Sequence, residues 1–241
     1  MKVSKTAFVD FLNKVSLKGM IQEVVIEENG MVGTVPQTKE HDKDCIIFGS
    51  FPDLGFKSRI GLGDVAMLAK IVNSLETADN LVNIDLQDSC LVVAARNGKY
   101  SYRLAQADAI TSVVAGYAEA SEKLKALESM ELSLTSVLNL KKAIANLTSD
   151  RVSFYAHDGI LEAVVHDDGT KSSATIELGM SKKSYKKDFP ASTLSRVLDT
   201  IDTDGTMMYG DESDKSPVVI QLKSKQYLYM VSPYVEVKLG E

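Results

Sequence analysis

Residues 61–75 read GLGDVAMLAKIVNSL, and 81–105 read LVNIDLQDSCLVVAARNGKYSYRLA. In the first stretch Val65, Leu68, Ile71, Val72 and Leu75 recur at the 3.6-residue period, which predicts a helix over 64–75 with one buried stripe. In the second, Val, Ile, Leu and Tyr alternate with polar residues, and Asp88-Ser89 and Asn97-Gly98 supply turn chemistry, which predicts an antiparallel meander. A short amphipathic helix followed by strands is therefore the local unit.

The unit occurs four times. Its other helices are KTAFVDFLNKVS at 5–16, SLTSVLNLKKAIANLT at 133–148 and PASTLSRVLDTID at 190–202, spaced roughly 55 to 70 residues apart, above the usual solenoid period. Phe8, Phe11, Leu12 and Val15 form the first stripe, with Ser4 as N-cap. Val137, Leu140, Ile144 and Leu147 form the third. Leu194, Val197, Leu198 and Ile201 form the fourth, opened by Pro190. After the first helix, MIQEVVIEENGMVGTVP predicts two strands around an Asn29-Gly30 hairpin, followed by a short strand CIIFGSF. After the third, RVSFYAHDGILEAVVHDDGTKSSATIELG carries turns at Asp158-Gly159 and Asp168-Gly169. The chain continues into PVVIQLKS and QYLYMVSPYVEV as further strands. Residues 105–129 have no strand pattern and include AEASEKLKALES, an alanine- and charge-rich stretch with helical character. The expected architecture is α+β: two similar domains, 1–104 and 130–241, each with two helix-plus-antiparallel-strand repeats, joined by a connector at 105–129, with helices on one face and sheets on the other.

The 241 residues suffice for two modest cores. A hydrophobic fraction of 44% and a charged fraction of 25% are those of an ordinary globular protein, and a net charge of −6 argues against nucleic-acid binding by bulk charge. A few basic groups gathered on one concave surface remain compatible with it. No apolar run has bilayer-spanning length, so no membrane association is expected. The start MKVSKTAFVDFL lacks the apolar stretch of a signal peptide. Cys45 and Cys90 lack metal-site spacing and read as reduced thiols of a cytoplasmic protein.

GLGDVAMLAKIVNSL with VNIDLQDSCLVV, the fourfold helix-and-strand repeat, and the tail YLYMVSPYVEV together resemble the DNA sliding clamps of the proliferating-cell-nuclear-antigen and T-even bacteriophage type. The resemblance spans the whole chain on diffuse signatures. The helix-like connector and short tail depart from the eukaryotic pattern and favour a bacteriophage type, hence host cytoplasm. The resemblance implies a non-enzymatic homotrimer, three two-domain chains closing a ring around duplex DNA without sequence preference. It also implies partners in a DNA polymerase and a clamp loader, and no cofactor or metal. By helical geometry the residues opposite the buried stripes are Thr6, Asp10 and Asn13, with Lys5, Lys14 and Lys18 at the flanks. In the later helices they are Lys70 and Asn73, then Asn139, Lys142 and Asn146 with Lys141 on the flank, then Ser192 and Arg196. In a clamp these would face DNA: sparse cations and amides attract phosphate without reading bases. They are equally what any solvated helix face carries, and Asp10 and Asp199 oppose the reading. By the same resemblance the subunit contact would pair Lys99, Tyr100, Tyr102 and Leu104 of KYSYRL with Ala174, Ile176 and Leu178 of ATIEL. Each segment has an ordinary reading as a strand paired within its own domain. A partner-peptide pocket would be walled by Met31, Val32, Val113, Val114, Tyr117, Val231, Pro233 and Tyr234, residues that also read as plain packing of the connector.

Other motifs carry less. His166-Asp167-Asp168-Gly169 sits at a predicted turn without further ligands in metal spacing. Gly61-Leu62-Gly63-Asp64 lacks the fuller glycine pattern and the lysine of a phosphate loop, and reads as a helix start. The basic run Ser181–Lys187 reads as a solvated loop. The three histidines support no triad. A cytosolic two-domain enzyme and a non-encircling, peptide-binding relative of the clamps stand as the competing readings.

Overall fold

The computed structural model describes residues 1–36, 45–167, 169–210, 217–224 and 226–234. They fall into two compact units: one takes in Met1–Gln37 with Ile47–Tyr117, the other Thr38–Ile46 with Ala118–Glu241, so that the first two residues of the strand at 45–50 count with the second.

The first unit begins with β1 (Lys2–Ser4) and α1 (Lys5–Val15), and continues through β2 (Val24–Ile26), β3 (Met31–Thr34), β4 (Cys45–Ser50) and β5 (Ile60–Leu62). Then come α2 (Val65–Ser74), β6 (Leu81–Gln87), β7 (Cys90–Ala95) and β8 (Gly98–Arg103). Ser4 caps α1 by accepting from Ala7 N–H, and Asp64 caps α2 by accepting from Met67 N–H at 2.8 Å. The two helices pack together, and β1-β6-β7-β8 form an antiparallel sheet. Phe8, Phe11, Leu12 and Val15 are fully buried, each contributing about 1.5–3 kcal/mol. The Phe51 ring, 5.3 Å from that of Phe11 and 6.0 Å from that of Phe8, closes the core over α1. In α2 Val65, Leu68, Val72 and Leu75 are buried; Ile71 is only half-buried, and Ala69 takes the remaining inward place.

After β8 the chain makes two 3₁₀ turns, Ala107–Ala109 and Val114–Gly116, and then α3 (Tyr117–Leu124). The second unit comprises β9 (Glu128–Leu132), α4 (Leu134–Asn146), β10 (Arg151–His157), β11 (Ile160–His166), β12 (Ser173–Met180), β13 (Tyr185–Pro190), α5 (Ala191–Thr200), β14 (Gly205–Tyr209), β15 (Val218–Leu222) and β16 (Tyr227–Val231). Here the antiparallel order is β12-β11-β10-β13, with α4 packed on β11 and β12 and α5 on β10 and β13. A second ladder runs β9-β14-β15-β16. Asp158 and Gly159 both have positive φ, as a two-residue hairpin turn of this hand requires. The architecture is the expected α+β one, helices on one face and antiparallel sheet on the other.

Four local expectations need correction. Asn29-Gly30 does form a tight turn, with Gly30 N–H donating to Glu27 O at 2.9 Å, but it does not join a paired hairpin. β2 pairs with β5 and β3 with β4, and the only ladder-like bond across the turn among the described residues is Glu27 N–H to Met31 O at 2.8 Å. Residues 128–129, assigned to the connector, start β9, whose Met130 and Leu132 are buried opposite Met207 and Gly205. The basic run 181–187 is a loop only in its first half. From Tyr185 it is strand β13, since Tyr185 is almost fully buried while Lys186 points outward. In α4 only Val137 and Leu140 are buried; Ile144 and Leu147 are half-exposed near its C-terminal end.

Candidate functional site

The helices sort the predicted cations by what they already hold. Lys5 Nζ donates to Leu75 O at 2.7 Å, a cation on the C-terminal carbonyl of α2. Lys14 is 6% exposed and paired with Asp10 at 2.8 Å, one helical turn away. Lys141 is paired with Asp199 at 2.8 Å. Lys18, Lys70, Lys142 and Arg196 are exposed and make no ion pair among the described residues. Asn73, Asn139 and Asn146 are exposed on α2 and α4, and Ser192 on α5. Both acids that opposed the reading are thus neutralised by a neighbouring lysine. The cations left over lie on, or just past, α1, α2, α4 and α5. The i,i+4 spacing of Asp10 and Lys14 is visible in the sequence, but the Lys141–Asp199 pair joins helices far apart in the chain and no local pattern gives it.

The strands named for subunit contact both occupy sheet edges: β8 ends the first unit's sheet and β12 ends the second unit's. Lys99 and Tyr100 are exposed, and Ala174 and Ile176 half-buried. Tyr102 and Leu178 are buried, and Leu104 is half-buried. The Tyr102 hydroxyl accepts from Asp64 N–H at 2.7 Å, at the start of α2. Leu104 N–H donates to Ser89 O at 2.8 Å, which sets the alternation along β8: Tyr100 and Tyr102 turn their backbone groups to β7, and Lys99, Ser101 and Arg103 turn theirs to the open edge. Asp167 N–H donates to Ser172 O at 2.8 Å, so Ala174 and Ile176 face β11, and Ser173, Thr175 and Glu177 face away from it; Glu177 O is taken by the Ser136 hydroxyl of α4 at 3.3 Å, which leaves the edge open at Ser173 and Thr175. Ser101, Arg103, Thr175 and Glu177 lie inside the segments KYSYRL and ATIEL but were not singled out, and Ser173 lies just outside. Alternation locates them once the Asn97-Gly98 turn and the 167–172 turn fix the phase.

The connector lies on the first unit as a strap. Ala105 N–H donates to Gly61 O at 2.9 Å, Arg59 pairs with Asp108 at 3.2 Å, and Ser112 Oγ donates to Glu27 at 3.1 Å. Val113 N–H donates to Gly33 O at 3.0 Å, and the Tyr117 ring meets Phe48 with centroids 5.0 Å apart. A Cβ on Gly33 would stand 2.6 Å from Val114 N, and one on Gly61 2.7 Å from Ala105 O, so only glycine lets the strap lie this close. Of the predicted pocket residues, Met31, Val113, Val114 and Tyr117 are half-exposed and Val32 is buried. Val231 and Pro233 are buried; exposed Tyr234 is fastened in the second unit, its N–H donating to Asp188 O at 2.8 Å and its hydroxyl to Asp150 O at 3.1 Å.

The remaining motifs have structural explanations. Asp167 accepts from Gly169 and Thr170 N–H at 2.9 and 3.0 Å, and these turn bonds hold its carboxyl below the usual range. Asp168 lies outside the described residues. Gly61 and Leu62 belong to β5 and Asp64 is the α2 cap. Among the described residues no group of three or more His, Cys, Asp or Glu is placed to hold a metal ion, and no helix is long and apolar enough to cross a membrane.

Two helix pairs, antiparallel sheets ending in β8 and β12, and a strapped connector define the DNA sliding-clamp fold. Solved structures share it along the whole chain. A. fulgidus PCNA, solved with the C-terminal region of FEN-1 bound, matches at 14% identity and TM-score 0.72, covering 98% of both chains. The PCNA2-PCNA3 complex of Sulfolobus tokodaii matches at 12% identity and TM-score 0.70, covering 98% of this chain and 100% of that one. The Bacillus subtilis DNA polymerase sliding clamp matches at 15% identity and TM-score 0.66; this chain spans 64% of its length. No family model and no curated protein sequence matches the chain.

Proposed function

We propose that this protein is a processivity clamp: three copies close head to tail into a ring, encircle duplex DNA without reading its sequence, and tether a DNA polymerase. The observation that carries the reading is the selective pairing on the helices. Asp10 and Asp199 are neutralised within the fold, while Lys18, Lys70, Lys142 and Arg196 stay exposed and unpaired among the described residues. Such a surface attracts phosphate without gripping bases, as a sliding contact needs. Its sequence domains, 1–104 and 130–241 joined through 105–129, make six domains from three chains. The half-exposed Met31, Val113, Val114 and Tyr117 suit a short partner peptide with apolar anchors, from a polymerase or clamp loader. The FEN-1 segment bound to the A. fulgidus structure supports that role. The clamp acts as a scaffold without chemistry of its own, in the cytoplasm of a host if a bacteriophage encodes it.

The test neutralises Lys70, Lys142 and Arg196 together as glutamines. All three are exposed, so stability should change by no more than about 0.5 kcal/mol. Retention on circular DNA and processive synthesis should fall, most visibly at low salt. Unchanged retention and unchanged processivity would remove the helices from the DNA-facing role. Sedimentation of the wild-type chain should give three times 26.3 kDa.

A further inference from the structure

The second unit leaves one sheet face bare. On the side of α4 and α5, Val152, Phe154, Ala156, Leu161, Ala163 and Val165 are buried. Their alternates on β10 and β11 face the other way. The registers group these outward residues in rows across the strands. One row is Asp188, Ser153, Val164 and Thr175; the next is Lys186, Tyr155, Glu162 and Glu177. Arg151 and His166 stand on the other side of the first row, one pleat beyond Ser153 and Val164. The first row consists of short side chains and its flanks of long ones, so the face carries a trough that crosses the strands. Ser153 and Val164 are its floor, Arg151 and His166 one wall, Tyr155 and Lys186 the other, around an open hollow of about 490 Å³. Hollows of that size hold small ligands.

The charges of the trough are met unevenly. On the floor, Ser153 Oγ donates to Asp188 at 2.6 Å and Arg151 Nη1 lies 3.7 Å from the same carboxylate, so Asp188 is balanced within the fold. The Tyr155 wall is not balanced. At its β13 end Lys186 is exposed and makes no ion pair among the described residues. At its β12 end Glu162 and Glu177 stand directly opposite each other, and like charges so placed repel. Glu162 lies 3.5 Å from His157 Nε2, whereas Glu177 is exposed and has no cation among the described residues. Between the two ends Tyr155 is 40% exposed and Val164 half-buried.

We infer that this trough docks a short extended segment of a partner protein that carries an acidic, an apolar and a basic residue at alternate positions. Three inter-strand spacings of about 4.8 Å set β13 and β12 roughly 14 Å apart. An extended chain covers that distance in four residues, at about 3.4 Å each, and its alternate side chains share a face. Residue i therefore reaches Lys186, residue i+2 lies over Tyr155 and Val164, and residue i+4 reaches Glu177. An acid at i pairs with the lysine, an apolar group at i+2 covers the ring and the valine, and a base at i+4 relieves the Glu162–Glu177 repulsion. A single nucleic-acid strand fits the trough less well. It stacks successive bases on several aromatics, and here its phosphates would meet Asp188, Glu162 and Glu177 beside one tyrosine. The contact is small beside a standard interface, so it binds weakly alone and adds affinity when the same partner is held at a second place. It lies wholly within the second unit, on the face turned away from the helices, and does not depend on ring closure.

The test is proton NMR of the full chain, titrated at constant pH with capped pentapeptides. The chain has three histidines, and His166→Gln identifies the His166 ring signal. Asp-Ser-Leu-Ser-Lys carries the alternate spacing. Ser-Asp-Leu-Lys-Ser has the same composition with adjacent spacing, so its three key side chains cannot share a face. The first should shift the His166 signal saturably and bind about three- to ten-fold more tightly than the second, since two exposed ion pairs are at stake. Lys186→Glu changes an exposed side chain and should reverse the charge preference at that end. It should weaken Asp-Ser-Leu-Ser-Lys and strengthen Lys-Ser-Leu-Ser-Lys, each by about two- to five-fold. Equal affinity for the two isomers, an unmoved His166 signal, or an unchanged preference in Lys186→Glu would overturn the inference. Oligothymidylate that shifts the His166 signal where the peptides do not would overturn it in favour of nucleic acid. None of these results touches the ring reading, which retention on DNA and sedimentation measure separately.

Discussion

Replacing Gly33 by alanine tests how the connector is held. The added Cβ would lie 2.6 Å from Val114 N, 2.9 Å from Val114 Cγ2 and 3.0 Å from Val113 C. Two of these atoms are backbone, so no rotamer change relieves the contact, and either the strap lifts or β3 shifts. Overpacking of this kind costs about 1–3 kcal/mol. If the strap lifts, the 3.0 Å bond from Val113 N–H to Gly33 O goes too, at about 1 kcal/mol. A loss of about 1.4 kcal/mol in local stability is tenfold in exchange rate, so the Val113 amide should exchange at least about tenfold faster in Gly33→Ala. Urea unfolding should shift to a lower midpoint. Gly55→Ala is the control: a Cβ there meets nothing within 4 Å, and its stability should be unchanged or slightly higher. Unaltered Val113 protection and an unaltered midpoint in Gly33→Ala would refute the close-approach reasoning.

Further predictions concern α4 and alkaline pH. Ser133→Ala removes the acceptor for Ser136 N–H at 3.0 Å at the start of α4 and should cost about 0.5–2 kcal/mol in denaturant titration; a change below the measurement error would discount the cap. Burial pushes the phenols of Tyr185, Tyr102 and Tyr209 above their ordinary value. A folded-state pKa raised above the unfolded one gives stability that is complete below about pH 10 and is lost as pH rises beyond it. Phenolate absorbance should therefore lag behind that of free tyrosine and then appear together with unfolding. Ordinary titration of all three with the fold intact would contradict their burial.

The four clamp helices were legible because their apolar stripes are dense and their caps stand in sequence: Ser4, Asp64 and Ser133 each accept from a first-turn amide. The meanders were legible from turns at Asp88-Ser89 and Asp158-Gly159, whose aspartates adopt positive φ. The partner of β2 was not, because a strand buried along its whole length has no alternation to say which neighbour it takes. The basic run hid β13 because strand residues that face outward tolerate lysine. At the candidate site, helical spacing put Lys70, Asn139, Lys142 and Arg196 outside the buried stripes, where they are exposed, but did not show that Lys141 is held by Asp199.

What the sequence determined by itself was the repeated unit: four amphipathic helices, each feeding antiparallel strands. That follows from periodicity, a property of neighbours along the chain. Only tertiary structure decided that Lys141 is spent on Asp199, and that Gly33 and Gly61 seat the connector. It also fixed the phase of β8 and β12, which turns the backbone groups of Lys99, Ser101, Arg103, Ser173 and Thr175 to sheet edges. Those outcomes depend on distances between residues far apart in sequence and on the phase of each ladder, which local pattern does not carry.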